Sequence, residues 1–174
     1  MENQQADQQT ENDELVLTRV LNAPRELVFQ IWSEVEHLKN WWGPVGFEWG
    51  YAKLDFQPGG SFHYQMRAPE GFEMWGKFVY HEIEAPERIV FVNSFSDEEG
   101  STVRAPFSPT FPLEIRNVVT FTEQDGKTTI TLRGGPINAT EEERAAFRGM
   151  KDSMNQGFNG TFNQLEAYLA SVRE

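Results

Sequence analysis

The stretch TEEERAAFRGMKDSMNQGFNGTFNQLEAYLAS, residues 140–171, decides the fold of this chain. It begins with a capping box, in which Thr140 caps a helix start and Glu143 returns the hydrogen bond. Apolar side chains then recur along one helical face. They are Phe147, Met150, Met154, Phe158, Leu165 and Leu169. The stretch predicts one helix from residue 141 to about 171, roughly 45 Å long at about 1.5 Å per residue.

A second stripe on this helix consists of small residues. Gly149, Ser153, Gly157 and Gly160 follow one another at spacings of four, four and three. Each glycine inside a helix costs about 1 kcal/mol relative to alanine. The stripe therefore indicates that space beside the helix matters, either for close packing of the helix on a sheet or for a ligand.

Upstream of the helix, the chain alternates between short strands and turns. Six strands are predicted at 47–56, 60–68, 72–83, 87–96, 113–123 and 127–134. The short connections between successive strands favour antiparallel pairing. The exception is the loop over 97–112, with prolines at 106, 109 and 112, which fits either a functional segment or a surface excursion.

The N-terminal part supplies one more strand and two short helices. Residues 14–21 alternate as a strand does, and Pro24 then opens a short helix over 24–33. A second short helix is predicted over 34–40, ended by WWGP at 41–44. Residues 1–13 are polar and acidic, which predicts a disordered tail before a single domain at 14–174.

This order of elements predicts an α+β fold. Helices do not alternate with strands, which argues against a doubly wound parallel sheet. We expect a curved antiparallel sheet of about seven strands wrapped around the long C-terminal helix, with two short helices after strand one. A strongly curved sheet cannot contact a straight helix everywhere, so the gap between them is expected to be an internal hydrophobic cavity.

Five short motifs, in order, carry a resemblance to a known family. They are Arg19 with APRELVF at 23–29 and Trp32; WWGP at 41–44; DFQPGGSF at 55–62 with Gly71; Gly76, Ile83 and PERIVF at 86–91; and MNQGF at 154–158 with Leu165, Tyr168 and Leu169. Through these five motifs, residues 14–171 resemble the Bet v 1-like, START-related (SRPBCC) helix-grip domains, and among these the bacterial branch related to the activator of Hsp90 ATPase. Relatives often carry Trp at position 158, where this chain has Phe.

The resemblance implies a helix-grip fold and leaves the function open, because function is carried by sites rather than by folds. Relatives bind lipids, hormones or polyketides, some catalyse cyclisation or hydrolysis, and one branch stimulates a chaperone. We expect binding of a small hydrophobic or amphipathic molecule in the cavity. The alternatives are a cyclase or hydrolase acting on a hydrophobic substrate there, and an Hsp90 co-chaperone-like interaction domain.

The composition and net charge of the chain limit the classes of partner that we expect. The formal net charge is −12, and removing the five acidic side chains of residues 1–14 still leaves 22 acidic against 15 basic ones. An acidic surface repels nucleic-acid phosphates and anionic lipids, so neither nucleic acid nor a membrane is expected as a partner. No signal peptide or spanning stretch is recognisable, which favours a cytoplasmic location. Open strand edges leave room for a homodimer.

No catalytic motif is recognisable in the sequence. The chain has no cysteine, which excludes thiolate nucleophiles and Cys-based zinc sites. His63 and His81 lie on neighbouring predicted strands without a third ligand, so no metal or other cofactor is expected. If Phe62, Tyr64 and Met66 face the helix, His63 points to solvent. The strand over 72–83 is apolar on both faces, which leaves its orientation open.

The cavity-lining candidates are aromatic and methionine side chains, which form adaptable apolar walls. They are Trp41, Trp42, Trp49, Tyr64, Met66, Trp75, Met150, Met154 and Phe158. Core packing explains the same residues equally well, and Trp41 and Trp42 also fit a structural plug beside the short helices. Candidates for acid–base chemistry are Tyr64, Glu73, Glu114 and Arg116, with none singled out.

Overall fold

A computed structural model describes residues 13–173 of the chain. Its elements follow in the order β1 (Leu15–Leu21), α1 (Arg25–Ser33), α2 (Val35–Leu38), β2 (Glu48–Leu54), β3 (Ser61–Arg67), β4 (Glu73–Glu84), β5 (Arg88–Ser96), β6 (Thr102–Val103), β7 (Ile115–Gln124), β8 (Lys127–Pro136), α3 (Glu141–Gly149) and α4 (Lys151–Arg173). The predicted tail lies outside the described residues, apart from Asp13, whose carboxylate pairs with Arg148 at 2.6 Å.

All eight strands belong to one sheet in the order β1-β8-β7-β5-β4-β3-β2, with β6 paired to β5. Every pairing is antiparallel. The predicted α+β class is therefore confirmed, with the two short helices after strand one. The short strand β6 lies within the segment predicted as the loop 97–112, and it brings the number of strands to eight.

One face of the sheet carries the hydrophobic core. On β3 the side chains of Phe62, Tyr64 and Met66 are buried, whereas those between them are only partly covered. Because successive side chains on a strand point to opposite faces, His63 lies on the outer face. Its Nε2 atom is 3.1 Å from the backbone oxygen of Asp97.

The structure shows which side chains of β4 face the core, a question that the sequence leaves open because both faces of this strand are apolar. Gly76, Phe78 and Tyr80 are buried on the core face. A bulge between Tyr80 and Glu82 shifts the alternation by one residue, so that Ile83 pairs with the buried Ile89 and packs against the core. The core-facing residues of β4 are therefore even-numbered up to Tyr80, whereas Ile83 after the bulge is odd-numbered.

The predicted continuous C-terminal helix is two helices. The capping box at its start is present, with Thr140 Oγ1 accepting from the Glu143 backbone N–H at 3.1 Å and Glu143 Oε1 accepting from the Thr140 N–H at 2.8 Å. Helical geometry is interrupted at Met150, where φ is −104° and ψ is 3°. The break follows Gly149, and glycine is a poor helix former, so an interruption is least costly there.

The two halves of α4 differ in burial. Phe162, Leu165 and Leu169 are almost fully buried in the C-terminal half. Across residues 151–160, no side chain is fully buried. The helix therefore buries its apolar side chains fully only in its C-terminal half, while Met154 and Phe158 in its N-terminal half pack against the core and remain partly exposed.

Two sets of hydrogen bonds fix this position of α4. Arg19 on β1 donates to Asn163 Oδ1 at 2.8 Å and to Asn159 Oδ1 at 3.2 Å. Thr161 and Gln164 both donate to the backbone oxygen of Gly43, each at 2.9 Å. The WWGP segment therefore holds one side of the helix and the edge strand β1 holds the other. Among residues 13–173, no helix is long and apolar enough to cross a bilayer.

Candidate ligand-binding site

A cavity of about 330 Å³ lies between the sheet and the N-terminal half of α4. Its volume falls at the lower end of the range typical of small-molecule pockets. Its lining is mainly aromatic, aliphatic and methionine side chains from the sheet, from α3 and α4, and from residues 107–113. The main apolar ones are Leu15, Trp42, Tyr64, Met66, Met74, Phe95, Phe107, Phe111, Leu113, Ile115, Phe147, Met154 and Phe158.

The segment between β6 and β7 forms one wall of this cavity. Phe107 contacts Phe95 of β5 with ring centroids 5.6 Å apart and Phe111 with centroids 5.3 Å apart. Phe111 is buried, whereas Phe107 is 54% exposed. The Phe107 side of this wall is therefore open to solvent, as is Gly157 on α4.

An ion pair fastens this wall to α3. Arg104 Nη1 lies 2.5 Å from Glu143 Oε2 and also donates to the Phe111 backbone oxygen at 3.1 Å. The pKa of Glu143 is lowered to about 2, first by the backbone N–H of Thr140 and next by Arg104. The same carboxylate thus caps α3 and holds the cavity wall.

Trp41 and Trp42 have different roles. Trp41 is 1% exposed, its ring centroid is 4.8 Å from that of Trp32, and its indole N–H donates to the Ile31 backbone oxygen at 3.2 Å. Trp42 lines the cavity, with its ring centroid 5.0 Å from Phe78 on the sheet and 6.1 Å from Phe158 on α4. Trp41 therefore packs the short helices, and Trp42 closes one end of the cavity.

Six of the nine predicted site residues border the cavity. They are Trp42, Tyr64, Met66, Trp75, Met154 and Phe158. Trp41, Trp49 and Met150 are not among the lining residues. Trp49 packs on Phe62 and Tyr64 from edge strand β2, and Met150 lies at the break between α3 and α4.

Trp75 borders the cavity without placing its ring inside it. Its indole lies on the outer face of the sheet, with its centroid 5.0 Å from His63 and 5.6 Å from Tyr51. Its neighbour Gly76 occupies the inner face. The prediction of Trp75 as a lining residue rests on residue type, which cannot separate an aromatic side chain on the inner face from one on the outer face.

The glycine stripe does not serve close packing on the sheet. A methyl group added at Gly149 or Gly157 would meet no atom within 4 Å. Only at Gly160 would it come near another residue, 3.1 Å from Val45 Cγ2 in the loop after α2. Of these three glycines, Gly157 lines the cavity, so the space beside it belongs to the cavity opening.

The hydroxyl of Tyr64 is one of the polar groups among the cavity-lining residues. Its position depends on Gly76, the residue paired with it on β4, because a methyl group there would lie 2.6 Å from the hydroxyl oxygen. Asn93 Nδ2 donates to this oxygen at 3.4 Å. Burial raises the pKa of Tyr64, while hydrogen bonds from Trp42 and Asn93 act in the opposite direction. The phenol is therefore neutral at physiological pH.

A second polar lining side chain, that of Asn117, is also paired with a glycine on the neighbouring strand. Asn117 on β7 is 5% exposed and pairs with Gly134 on β8, where an added methyl group would lie 2.4 Å from Asn117 Oδ1. Its Nδ2 atom donates to the Ile115 backbone oxygen at 3.2 Å. Both glycines therefore make room for a polar side chain of the adjacent strand at the cavity floor.

The other acid–base candidates lie elsewhere. Glu73 is exposed and 3.9 Å from Arg67, Glu114 accepts a long 3.5 Å hydrogen bond from Asn138, and Arg116 is exposed. Of the residues at 13–173 that line the cavity, Tyr64 has the one titratable side chain. Within residues 13–173, no group of three acidic or histidine side chains could hold a metal ion.

Sequence reasoning missed several lining residues, chiefly Phe95, Phe107, Phe111, Asn93 and Asn117. Asn93 and Asn117 interrupt apolar alternation on β5 and β7, a signal that marks a polar group placed on a core face. Phe107 and Phe111 lie between the three regularly spaced prolines. Two aromatic side chains in a loop indicate that the loop covers apolar surface.

Comparison with known proteins gives the same fold. A family model described as activator of Hsp90 ATPase homolog 1-like protein matches residues 22–170. The crystal structure of protein Ms6760 from Mycobacterium smegmatis is similar, with 28% identity, a TM-score of 0.74 and coverage of 92% of each chain. A solution structure from Staphylococcus epidermidis has 26% identity and a TM-score of 0.67, covering 93% of this chain and 92% of its own.

A further solution structure, of a protein from Arthrobacter aurescens, shares 23% identity with a TM-score of 0.78, covering 93% of this chain and 88% of its own. At that identity the similarity shows the fold alone. No curated protein matches the chain. The family is therefore established by the match over residues 22–170, and the helix-grip fold by the solved structures.

Proposed function

The chain belongs to the activator of Hsp90 ATPase homolog 1-like family, and from that premise we propose that it binds a small hydrophobic or amphipathic molecule between the sheet and α4. The observation that carries this proposal is the cavity of about 330 Å³, lined mainly by apolar side chains. Protein interiors are otherwise close-packed, so a space of this size lined by aromatic and methionine side chains favours a guest.

The distribution of burial along α4 supports the same proposal. A helix lying against a sheet gains stability by burying its apolar face, yet residues 151–160 leave Met154 and Phe158 only partly covered. A bound apolar molecule would cover both side chains. Gly157 lies between them at the opening, where a larger side chain would enter the guest's space.

The experiment compares two leucine substitutions. At both positions an added methyl group has no neighbour within 4 Å, but Gly157→Leu places a side chain at the cavity opening, whereas Gly149 is not among the lining residues. Both replace a helical glycine by a good helix former. Because Gly149 ends α3 and Gly157 lies inside α4, thermal unfolding of both variants establishes that each is folded. The probe is 2-ethylnaphthalene, a two-ring hydrocarbon, titrated by calorimetry or ligand-observed NMR.

We expect saturable one-to-one binding to the wild type and to Gly149→Leu. Gly157→Leu should weaken binding more than about tenfold, which corresponds to about 1.4 kcal/mol. Absence of saturable binding to the wild type, or equal weakening by both substitutions, would contradict the proposal.

The cyclase or hydrolase alternative has less support from the lining. Among the described lining residues, Tyr64 is the only titratable side chain, and its raised pKa leaves it able to donate a proton in a hydrogen bond but not to act as a base at neutral pH. Hydrolysis would also need a base to activate a hydroxyl group or a water molecule, and the described lining residues include no histidine, lysine or carboxylate.

A co-chaperone-like interaction is a second proposal, which rests on the description of the family. It predicts that the purified protein stimulates the ATPase of an Hsp90-type chaperone at stoichiometric concentration. Unchanged ATPase rates, with the protein folded and the chaperone active, would contradict the co-chaperone proposal and leave the ligand-binding proposal unaffected.

A further inference from the structure

We infer that the guest of the cavity is a neutral molecule carrying one hydrogen-bond acceptor, such as a ketone or ester carbonyl, which accepts the phenolic proton of Tyr64. This inference rests on the proposed function and deepens it, because it assigns the guest a chemical class. It depends on three features: the partners of the Tyr64 hydroxyl, the absence of charge in the lining, and the size of the cavity.

The groups that hydrogen-bond to the hydroxyl are donors. Asn93 Nδ2 lies 3.4 Å from it, and a hydrogen bond from Trp42, whose indole N–H can only donate, acts with it against the rise in the pKa of Tyr64. The Asn93 amide is oriented by a second bond, from Nδ2 to the Lys77 backbone oxygen at 3.0 Å, and a carbonyl oxygen can only accept. Neither partner can take the phenolic proton, which therefore remains available to a guest.

The hydroxyl also lies where a guest can reach it. The Tyr64 side chain is 5% exposed and borders the cavity. Glycine at position 76 leaves the space that the hydroxyl fills, since even a methyl group there would collide with it. A buried donor without an acceptor is unfavourable, so a guest that accepts this hydrogen bond should bind with higher affinity than a guest of the same shape that does not.

The lining excludes charged guests. It contains no lysine, arginine, histidine or carboxylate among the described residues. A carboxylate guest would accept the Tyr64 proton, but its charge would be buried in apolar surroundings with no cation beside it, which is strongly unfavourable. Free fatty acids and aromatic acids should therefore bind more weakly than neutral carbonyl compounds of the same shape.

Size limits the apolar part of the guest. An engineered cavity of about 150 Å³ holds one benzene molecule. The cavity of about 330 Å³ is roughly twice that size, which suits a body of about two fused rings. The guest inferred here is thus a two-ring or similarly sized apolar body with one carbonyl group.

Three probes of nearly equal shape test this inference on the full chain: 2-acetylnaphthalene, 2-ethylnaphthalene and 2-naphthoate at pH 7.5. The ketone should bind about threefold to tenfold more tightly than the hydrocarbon, the factor expected for one neutral hydrogen bond. The carboxylate should bind more weakly than either. Affinities are measured by calorimetry or ligand-observed NMR.

Two tyrosine variants locate the effect. Tyr64→Phe should abolish the preference for the ketone while leaving the affinity for the hydrocarbon within about twofold. Tyr80→Phe removes a hydroxyl from the same buried sheet face without touching the cavity lining, and it should keep the preference. Circular dichroism and thermal unfolding establish that both variants are folded.

The outcomes separate the two levels of the proposal. If the hydrocarbon binds as tightly as the ketone, or if Tyr64→Phe keeps the preference for the ketone, the inference of a hydrogen-bond acceptor is wrong, while the proposal that an apolar molecule binds in the cavity is unaffected. If the carboxylate binds most tightly, the neutral class is wrong. If none of the three probes binds the wild type, the proposed function itself fails.

Discussion

At the scale of single residues, the cavity floor depends on glycines that face large or polar side chains of the neighbouring strand. Tyr64 lies over Gly76 and Asn117 lies over Gly134, and in both pairs a methyl group would come within 2.6 Å of the side chain. Glycine usually weakens a strand. Its presence at these two positions therefore follows from the space that Tyr64 and Asn117 require.

Replacing Gly76 by alanine tests this requirement. The added methyl group would collide with the Tyr64 hydroxyl and ring, so we expect a loss of about 1–3 kcal/mol in the free energy of unfolding. In a Tyr64→Ala background the collision disappears, and the same substitution should be neutral or stabilising, because alanine suits a strand better than glycine. Urea unfolding of the four proteins measures both values; an equal loss in both backgrounds would contradict the pairing.

Residue identity alone could not orient every aromatic side chain. On β3 the alternation of Phe62, Tyr64 and Met66 with polar residues predicts the inner face, and the structure has those three side chains buried. On β4 both faces are apolar, because the outer face holds its own cluster of Trp75, His63 and Tyr51. The bulge after Tyr80 then shifts the alternation, and no local sequence signal marks it.

At the scale of elements, the link between α3 and the cavity wall is electrostatic. Glu143 takes part in the capping box of α3 and in the ion pair with Arg104. Its pKa of about 2 lies below the ordinary value of 4.5. The stabilisation from its charged form is therefore complete above about pH 4.5 and is lost as the pH falls towards 2.

The titration of Glu143 tests this link. In the wild type, the carboxyl resonance observed by NMR should titrate with a midpoint well below 4.5. Arg104→Gln should raise the midpoint only part of the way, because the Thr140 N–H is the larger cause of the low pKa and remains in place. Arg116→Gln, which removes an exposed arginine of β7, serves as the matched control and should leave it unchanged. A midpoint unaffected by Arg104→Gln would contradict the link.

The elements themselves were largely predictable, since segments containing proline or glycine separate the successive long strands from β2 to β8 and the capping box marks the start of α3. The break at Met150 was not predicted, because a helical pattern that continues on both sides of a glycine does not show an interruption. The role of the loop over 97–112 also stayed open, because only the tertiary structure shows that Phe107 folds back onto Phe95 and that Phe111 packs against Phe107.

At the scale of the whole molecule, the central feature is where the sheet and α4 meet and where they separate. The C-terminal half of α4 is fixed by Leu165, Leu169 and the hydrogen bonds of Arg19. The N-terminal half lies beside the cavity. The sequence predicted a gap between a curved sheet and a straight helix, but which half of the helix borders it depends on long-range contacts such as those of Thr161 and Gln164 with Gly43.

The methionines allow the most direct measurement of binding at this gap. Met66, Met74 and Met154 border the cavity, whereas Met150 does not. In a sample carrying ¹³C-labelled methionine methyl groups, 2-acetylnaphthalene should give intermolecular nuclear Overhauser effects to the first three methyl groups and none to Met150. Contacts spread over Met150 and surface groups, or no contact with the first three at saturating probe, would contradict binding between the sheet and α4.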